Sequence, residues 1–245
     1  HVNGVSVMVD IGTNGEMALY HNGTLYCCST AAGPAFEGAK ISHGCPAVQG
    51  AVNKVWAADG MLHYETIGGV PAVGLCGTGL IDAVAAFVKT GLIDETGLID
   101  EECPDYEQYV TEEDGQPAVQ IGDSGILITQ ADLRAVQLAK AAICAGIYSL
   151  IHEAGLQESD VDHLYLAGGF GSFIDRQSAG DMGLIPQRFV PLTKVLGNAA
   201  GMGATMILQS AEKLAESETL AKDAQYVELS TSAFFMEKYV ECMMF

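Results

Sequence analysis

The sequence predicts an α/β domain in which β-rich runs are followed by helices. Three observations carry that expectation. The chain opens on a β-rich meander with turn residues between its strands. Glycine-rich turns recur where β-rich runs end and helical runs begin. A long segment, 129–154, carries apolar residues at helical spacing and leads into another β-rich run.

The elements follow in order. Residues 5–10 form the first strand, Gly12-Thr13-Asn14-Gly15 a turn, 17–20 the return strand, and His21-Asn22-Gly23 a second turn into a strand at 24–28. Asn-Gly between apolar runs is a strong hairpin signal. A second hairpin is predicted from 52–56 and 61–67, turning at Asp59-Gly60. The glycine-rich loop 74–79 runs into an apolar helix, 80–88, and the acidic stretch 91–118 reads as irregular surface. In the helix 129–154, Thr129 and Asp132 resemble a capping box, and Leu133, Val136, Ala139, Ile143, Ile147, Leu150 and Ile151 line one face. A strand at 163–167, a short helix at 175–182, a strand at 194–196 and a helix at 199–209 come next. A further helix, a strand at 226–229 and a helix from 233 close the chain.

Composition narrows the function classes. The 245 residues are 49% hydrophobic and 17% charged, which suits a packed core. A formal net charge of −20 argues against a nucleic-acid partner and against an anionic membrane surface. With so few cations, a phosphate site must rely on backbone N–H groups and a metal ion. The seven cysteines form no CxxC and show no iron–sulfur or zinc spacing. They read as reduced, mostly buried thiols of a soluble, cytoplasmic protein. The chain starts at His1 rather than Met, so it is expected to be part of a longer polypeptide.

Three glycine motifs carry the candidate chemistry. In Asp10-Ile11-Gly12-Thr13-Asn14-Gly15, an acid ends a strand and the turn can aim successive N–H groups at a phosphate. Asp10 is then the candidate Mg²⁺ residue, acting through water. The same residues also suit a plain hairpin turn. Gly77-Thr78-Gly79 opens a helix, whose N-terminus favours anions; Thr78 as a simple N-cap is the alternative. In Leu166-Ala167-Gly168-Gly169-Phe170-Gly171 a strand runs into a Gly-Gly turn suited to a flat ring. A Rossmann oxidoreductase competes for this last motif, but the chain lacks GxGxxG after its first strand.

Taken in order, these motifs resemble the second lobe of the actin, Hsp70 and sugar-kinase ATPases, which implies a ribonuclease H-like fold with a central mixed sheet flanked by helices. The hairpin there is a phosphate motif and the Gly-Gly turn the adenosine motif. Residues 197–204 are similar to the small-residue helix at the lobe interface of that superfamily. The polar arc Arg134, Gln137 and Lys140 resembles a helix that lends a lysine to adenosine, although a solvated face fits as well. A narrower likeness comes from Asp-Ile-Gly-Thr-Asn-Gly-Glu-Met (10–17), Ala-Ala-Gly-Pro-Ala-Phe-Glu-Gly-Ala (31–39), Cys-Gly-Thr-Gly-Leu-Ile-Asp (76–82), Gln-Leu-Ala-Lys-Ala-Ala-Ile (137–143) and Leu-Ala-Gly-Gly-Phe-Gly (166–171). These resemble the C-terminal region of the ATP-dependent reductive activators of corrinoid proteins.

That resemblance implies the following. Residues 1–245 are the C-terminal ATPase lobe, while the 2Fe–2S domain and the first lobe lie outside this chain. ATP and Mg²⁺ are the expected cofactors and a corrinoid protein the partner; a homodimer is also compatible. The reaction is one-electron reduction of Co(II) corrinoid to Co(I) in a methyltransferase or O-demethylase system. The expected site comprises Asp10 and Glu37 as catalytic residues. Gly12, Thr13, Asn14, Gly15, Gly77, Thr78, Gly79, Gln137, Lys140, Gly168, Gly169 and Phe170 are the expected nucleotide contacts. Glu37 either orients a water near Mg²⁺ or caps the following turn. A small-molecule kinase of the same fold and a nucleotide-gated interaction module are the alternatives.

Overall fold

The computed structural model describes residues 4–169 and 173–245. Its chain opens with β1 (Val5–Ile11), β2 (Gly15–His21) and β3 (Thr24–Thr30). A second unit of β4 (Ala51–Ala58), β5 (Met61–Thr66), β6 (Gly74–Leu75) and α1 (Gly77–Thr90) follows. Then come β7 (Val110–Glu113), β8 (Gln116–Gln120), β9 (Leu127–Thr129) and α2 (Gln130–Glu153). The chain ends with β10 (Val161–Ala167), α3 (Arg176–Asp181), β11 (Thr193–Gly197), α4 (Ala199–Gln209), α5 (Ala211–Asp223), β12 (Gln225–Tyr226) and α6 (Ala233–Glu241).

The main sheet has the order β11-β10-β1-β2-β3-β12. Its meander is antiparallel, whereas β10, β11 and β12 join in parallel, so the sheet is mixed as predicted. Alternation explains the meander: Val5, Val7, Val9 and Ile11 are buried along β1, and Met17 and Leu19 along β2. Helix α2 lies across this sheet and approaches it closely at two glycines. A Cβ at Gly15 would sit 2.3 Å from Ile143 Cδ1, and one at Gly146 would sit 2.7 Å from Met17 Sδ. All seven residues of the predicted apolar stripe of α2 are buried. By length and composition α2 could cross a membrane, but 78% of its most apolar window is buried inside the fold.

The capping box forms as expected. The Thr129 hydroxyl accepts from the Asp132 N–H at 3.2 Å, and Asp132 Oδ2 accepts from the Thr129 N–H at 2.9 Å. Asp132 Oδ1 also accepts from the Ser42 N–H at 2.8 Å, which ties the helix start to the loop after β3.

Two readings need correction. The acidic stretch 91–118 is not wholly irregular, because it contributes β7 and β8, which turn at Asp114-Gly115 and pair onward with β9. Both turn residues have positive φ, at 50° and 78°, as a two-residue hairpin requires. The turn signal was present; the acidic residues of β7 masked its alternation. The strand expected at 226–229 is only two residues long, at Gln225–Tyr226, because the Val227 N–H makes the last bond to the edge, to Cys27 O at 2.8 Å, before the chain turns and Leu229 enters the core.

Thr129→Ala is expected to lower stability by about 1 kcal/mol through loss of the cap. Urea denaturation with an unchanged slope is the check; no shift in midpoint would show the Asp132–Ser42 link to carry the helix start alone.

Candidate functional site

The site begins with register. β1 pairs in parallel with β10 so that Asp10 lies opposite Ala167, and in the antiparallel direction opposite Glu16. The hairpin tip and the Gly168-Gly169 turn therefore end side by side. Gly168 has φ +105°, and a Cβ there would lie 2.6 Å from Ile11 O and 2.8 Å from Asp10 Oδ1. Only glycine allows the turn to press against Asp10 in this way.

Loop 33–38 closes over the hairpin. The Gly33 N–H donates to Thr13 O at 2.8 Å. The Thr13 hydroxyl donates to Glu37 Oε1 at 2.8 Å, and a Cβ on Gly12 would be 3.7 Å from the same oxygen. Asp10, Gly12, Thr13, Glu37 and Gly168 are thus brought together. Burial raises the Asp10 carboxyl above the usual carboxylate range, and Glu16 adds to that effect.

A cleft of about 1030 Å³ extends from this corner. Glu37 and Gly169 line it, as do Gly77 and Thr78 at the N-terminus of α1. Thr78 is not the N-cap. Cys76 holds that position without a side-chain cap bond, and the Thr78 hydroxyl donates to Asn53 O at 3.0 Å. Gly79 serves packing, since a Cβ there would sit 2.3 Å from Val52 O. Asn14 is exposed at the hairpin tip and Gly15 is buried beneath α2. Phe170 lies outside the described residues.

Gln137 and Lys140 are not brought to the cleft. Both are buried, with Lys140 only 1% exposed. The Gln137 amide donates to Thr96 O and Met243 O, each at 2.9 Å. The Lys140 ammonium donates to Cys242 O at 2.8 Å and to Met244 O, and lies 4.6 Å from the centre of the Phe245 ring. Helical spacing identified their shared face; the C-terminal segment that covers it was not visible in a local pattern. Burial depresses the Lys140 ammonium to about 8, with Cys144 and Cys242 opposing the shift.

Sequence reasoning missed Asn53, Asp82, Asp175 and Ser178, which also line the cleft. The available signal was Asp82, a lone acid inside the apolar helical run Leu80 to Val88. It is 7% exposed on α1. Burial raises its carboxyl, and Ser178, the Val55 amide and Lys54 offset this only in part.

The groups expected from the sequence fit this corner. A cleft that receives a helix N-terminus and two glycine turns suits a polyphosphate. Among the described residues no cluster of three or more metal-ligating side chains exists. A Mg²⁺ ion here would be held by Asp10 through water, with phosphate oxygens among its ligands.

The six-stranded mixed sheet with its inserted strand–helix unit and the cleft beside the hairpin define an actin-like ATPase lobe. The match to the family model described as the C-terminal domain of RACo, the ASKHA domain, spans residues 4–245. The chain belongs to this family. It is 36% identical over 98% of its length to the corrinoid activation enzyme RamQ of Eubacterium limosum, and covers 42% of that protein. It is 29% identical over 96% of its length to a Co(II) methylated amine-specific corrinoid protein reductase of Methanosarcina barkeri, and covers 45% of it. A solved reductive activator for corrinoid, iron–sulfur protein matches 99% of the chain with a TM-score of 0.90 and 34% identity, and the chain covers 40% of it. The chain therefore spans less than half the length of these relatives.

Lys140→Met is expected to free the C-terminal segment, read as lost hydrogen-exchange protection from 242 to 245, without weakening ligand binding in the cleft. The charged form is disfavoured in the fold, so the unfolded chain binds more protons between pH 8 and 10.5. Wild-type stability relative to Lys140→Met should therefore rise with pH across that window. A difference independent of pH would remove the assignment.

Proposed function

We propose that this chain is the ATP-binding lobe of a reductive activator that drives one-electron reduction of a Co(II) corrinoid to Co(I) in a partner corrinoid protein. The observation that carries this reading is the convergence of Asp10, Thr13, Glu37 and Gly168 beside one cleft. The names of the relatives support the corrinoid partner.

In this reading Gly12, Thr13 and Asn14 face the phosphates, Gly15 lets α2 pack beneath the hairpin, and Gly77 and Thr78 present the α1 N-terminus to the phosphates. Asp10 holds Mg²⁺ through water, and Glu37, steadied by Thr13, orients the hydrolytic water near that ion. Gly168 and Gly169 form the turn against the nucleoside, and Phe170 is the further expected contact. Gly79 takes a packing role, and Gln137 and Lys140 a structural one at the C-terminal segment. The electron comes from a 2Fe–2S cluster carried elsewhere in the full-length protein. ATP binding and hydrolysis assist the uphill step to Co(I) from this lobe. The protein acts in the cytoplasm, and the net charge of −20 disfavours nucleic-acid and anionic-membrane partners.

Calorimetry of Mg-ATP with the full-length protein and its Asp10→Ala variant tests the reading. Wild type is expected to bind, and the variant to bind at least about tenfold more weakly, equivalent to about 1.4 kcal/mol. Absence of binding by wild type, or equal binding by both proteins, would overturn the phosphate assignment. Reduction of a Co(II) corrinoid protein, followed by its visible spectrum, then tests the activity.

A further inference from the structure

The wall of the cleft formed by β4 and α1 carries two polar groups that the phosphate chemistry leaves unused. Asp82 is 7% exposed, and its Oδ1 has no hydrogen-bond partner among the described residues. The side-chain oxygen of Asn53, also buried, has none either. Both residues line the cleft, and the Thr78 hydroxyl bonded to Asn53 O fixes that strand against the first turn of α1. Native interiors rarely leave such atoms unpaired, and an exception asks for an explanation. Two unpaired acceptors on one cleft wall call for a ligand that supplies N–H or O–H donors.

The surroundings say which donors. Val55, Trp56, Ile67, Phe173 and Ile174 line the same cleft with flat and aliphatic surface. Trp56 is stacked on His63 with ring centroids 5.4 Å apart, which holds its plane. A flat apolar slot with a polar end suits a heteroaromatic base. The Asn53 side chain offers an acceptor beside two donors. Adenine presents an amino donor beside a ring-nitrogen acceptor, so the two match in a bidentate pair. Guanine and hypoxanthine place a carbonyl where adenine has its amino group, setting acceptor against acceptor. A ribose diol would satisfy the oxygens but leave the apolar slot empty.

We propose that Asn53 and Asp82 form the base-reading end of the cleft and select adenine through its exocyclic amino group. This rests on the nucleotide reading above and adds its specificity determinant. The raised carboxyl of Asp82 accords with it, because burial outweighs the donors Ser178 and the Val55 amide and disfavours the charged form.

The test measures binding of Mg-ATP, Mg-ITP and Mg-2′-deoxy-ATP by calorimetry to the full-length protein, to Asn53→Ala and to Asp82→Ala. ITP keeps the ribose and triphosphate but replaces the amino group by a carbonyl. Wild type is expected to prefer ATP over ITP by about tenfold or more, the scale of one net hydrogen bond. Each variant is expected to narrow that ratio by weakening ATP while ITP stays within about twofold. Deoxy-ATP should follow ATP throughout. Thermal midpoints without nucleotide check folding, and Asn53→Ala, at a half-buried strand position, serves if Asp82→Ala misfolds. Equal binding of ATP and ITP by wild type, or an unchanged ratio in a folded variant, overturns the proposal. So does a loss that tracks the 2′-hydroxyl instead of the amino group. Triphosphate binding without base preference overturns this inference alone, whereas no triphosphate binding by wild type overturns the nucleotide reading and this inference with it.

Discussion

The parallel pairing of β1 with β10 is the constraint on which the cleft depends. It sets Asp10 opposite Ala167, so the strand that carries the acid and the strand that carries the Gly-Gly turn end at the same level. A shift of one residue would turn Asp10 to the opposite face of the sheet and separate it from Gly168. Gly168 then packs onto Asp10 and the Ile11 carbonyl at a distance that no side chain permits. The loop 33–38 closes the corner through Gly33 and Glu37, both bonded to Thr13. These contacts join segments twenty or more residues apart, and they hold only because the sheet places their ends together.

Helix α2 stabilises that sheet and organises the opposite side of the lobe. Its apolar stripe lies over β2 and β3, and the close approach at Gly15 and Gly146 leaves little space for rearrangement. Beside the stripe, Gln137 and Lys140 receive carbonyls of residues 242–244. A buried ammonium is costly unless its hydrogen bonds are made. Two carbonyls and the Phe245 ring meet that need, and α6 packs on α2 as a result. The polar arc of the helix is thus an internal clamp.

The acidity of the chain shapes how it handles a ligand. Among the described residues that line the cleft, Lys54 is the only lysine or arginine. Negative charge on a ligand there would meet backbone N–H groups and a helix N-terminus in place of side-chain cations. The same economy of charge makes the unpaired oxygens of Asn53 and Asp82 informative, since neither has a cation close enough to bond.

Local chemistry was legible in the residues. Asn22-Gly23 and Asp59-Gly60 announced their hairpins, Thr129 with Asp132 announced the start of α2, and the glycine motifs announced turns at strand ends. The hairpin β7–β8 was not read, because exposed acids along β7 hid its alternation even though Asp114-Gly115 marked its turn. The sequence by itself determined most of the strands, the helix faces and the residue types at the hairpin corner, because each depends on neighbours a few positions away. Only the tertiary structure decided that Glu37 would meet Thr13, that Gly79 would pack on Val52 and that Lys140 would hold the C-terminal segment. It alone placed Asn53 and Asp82 on one wall. Those outcomes depend on which distant segment covers a given face, and side-chain periodicity carries no record of the covering partner.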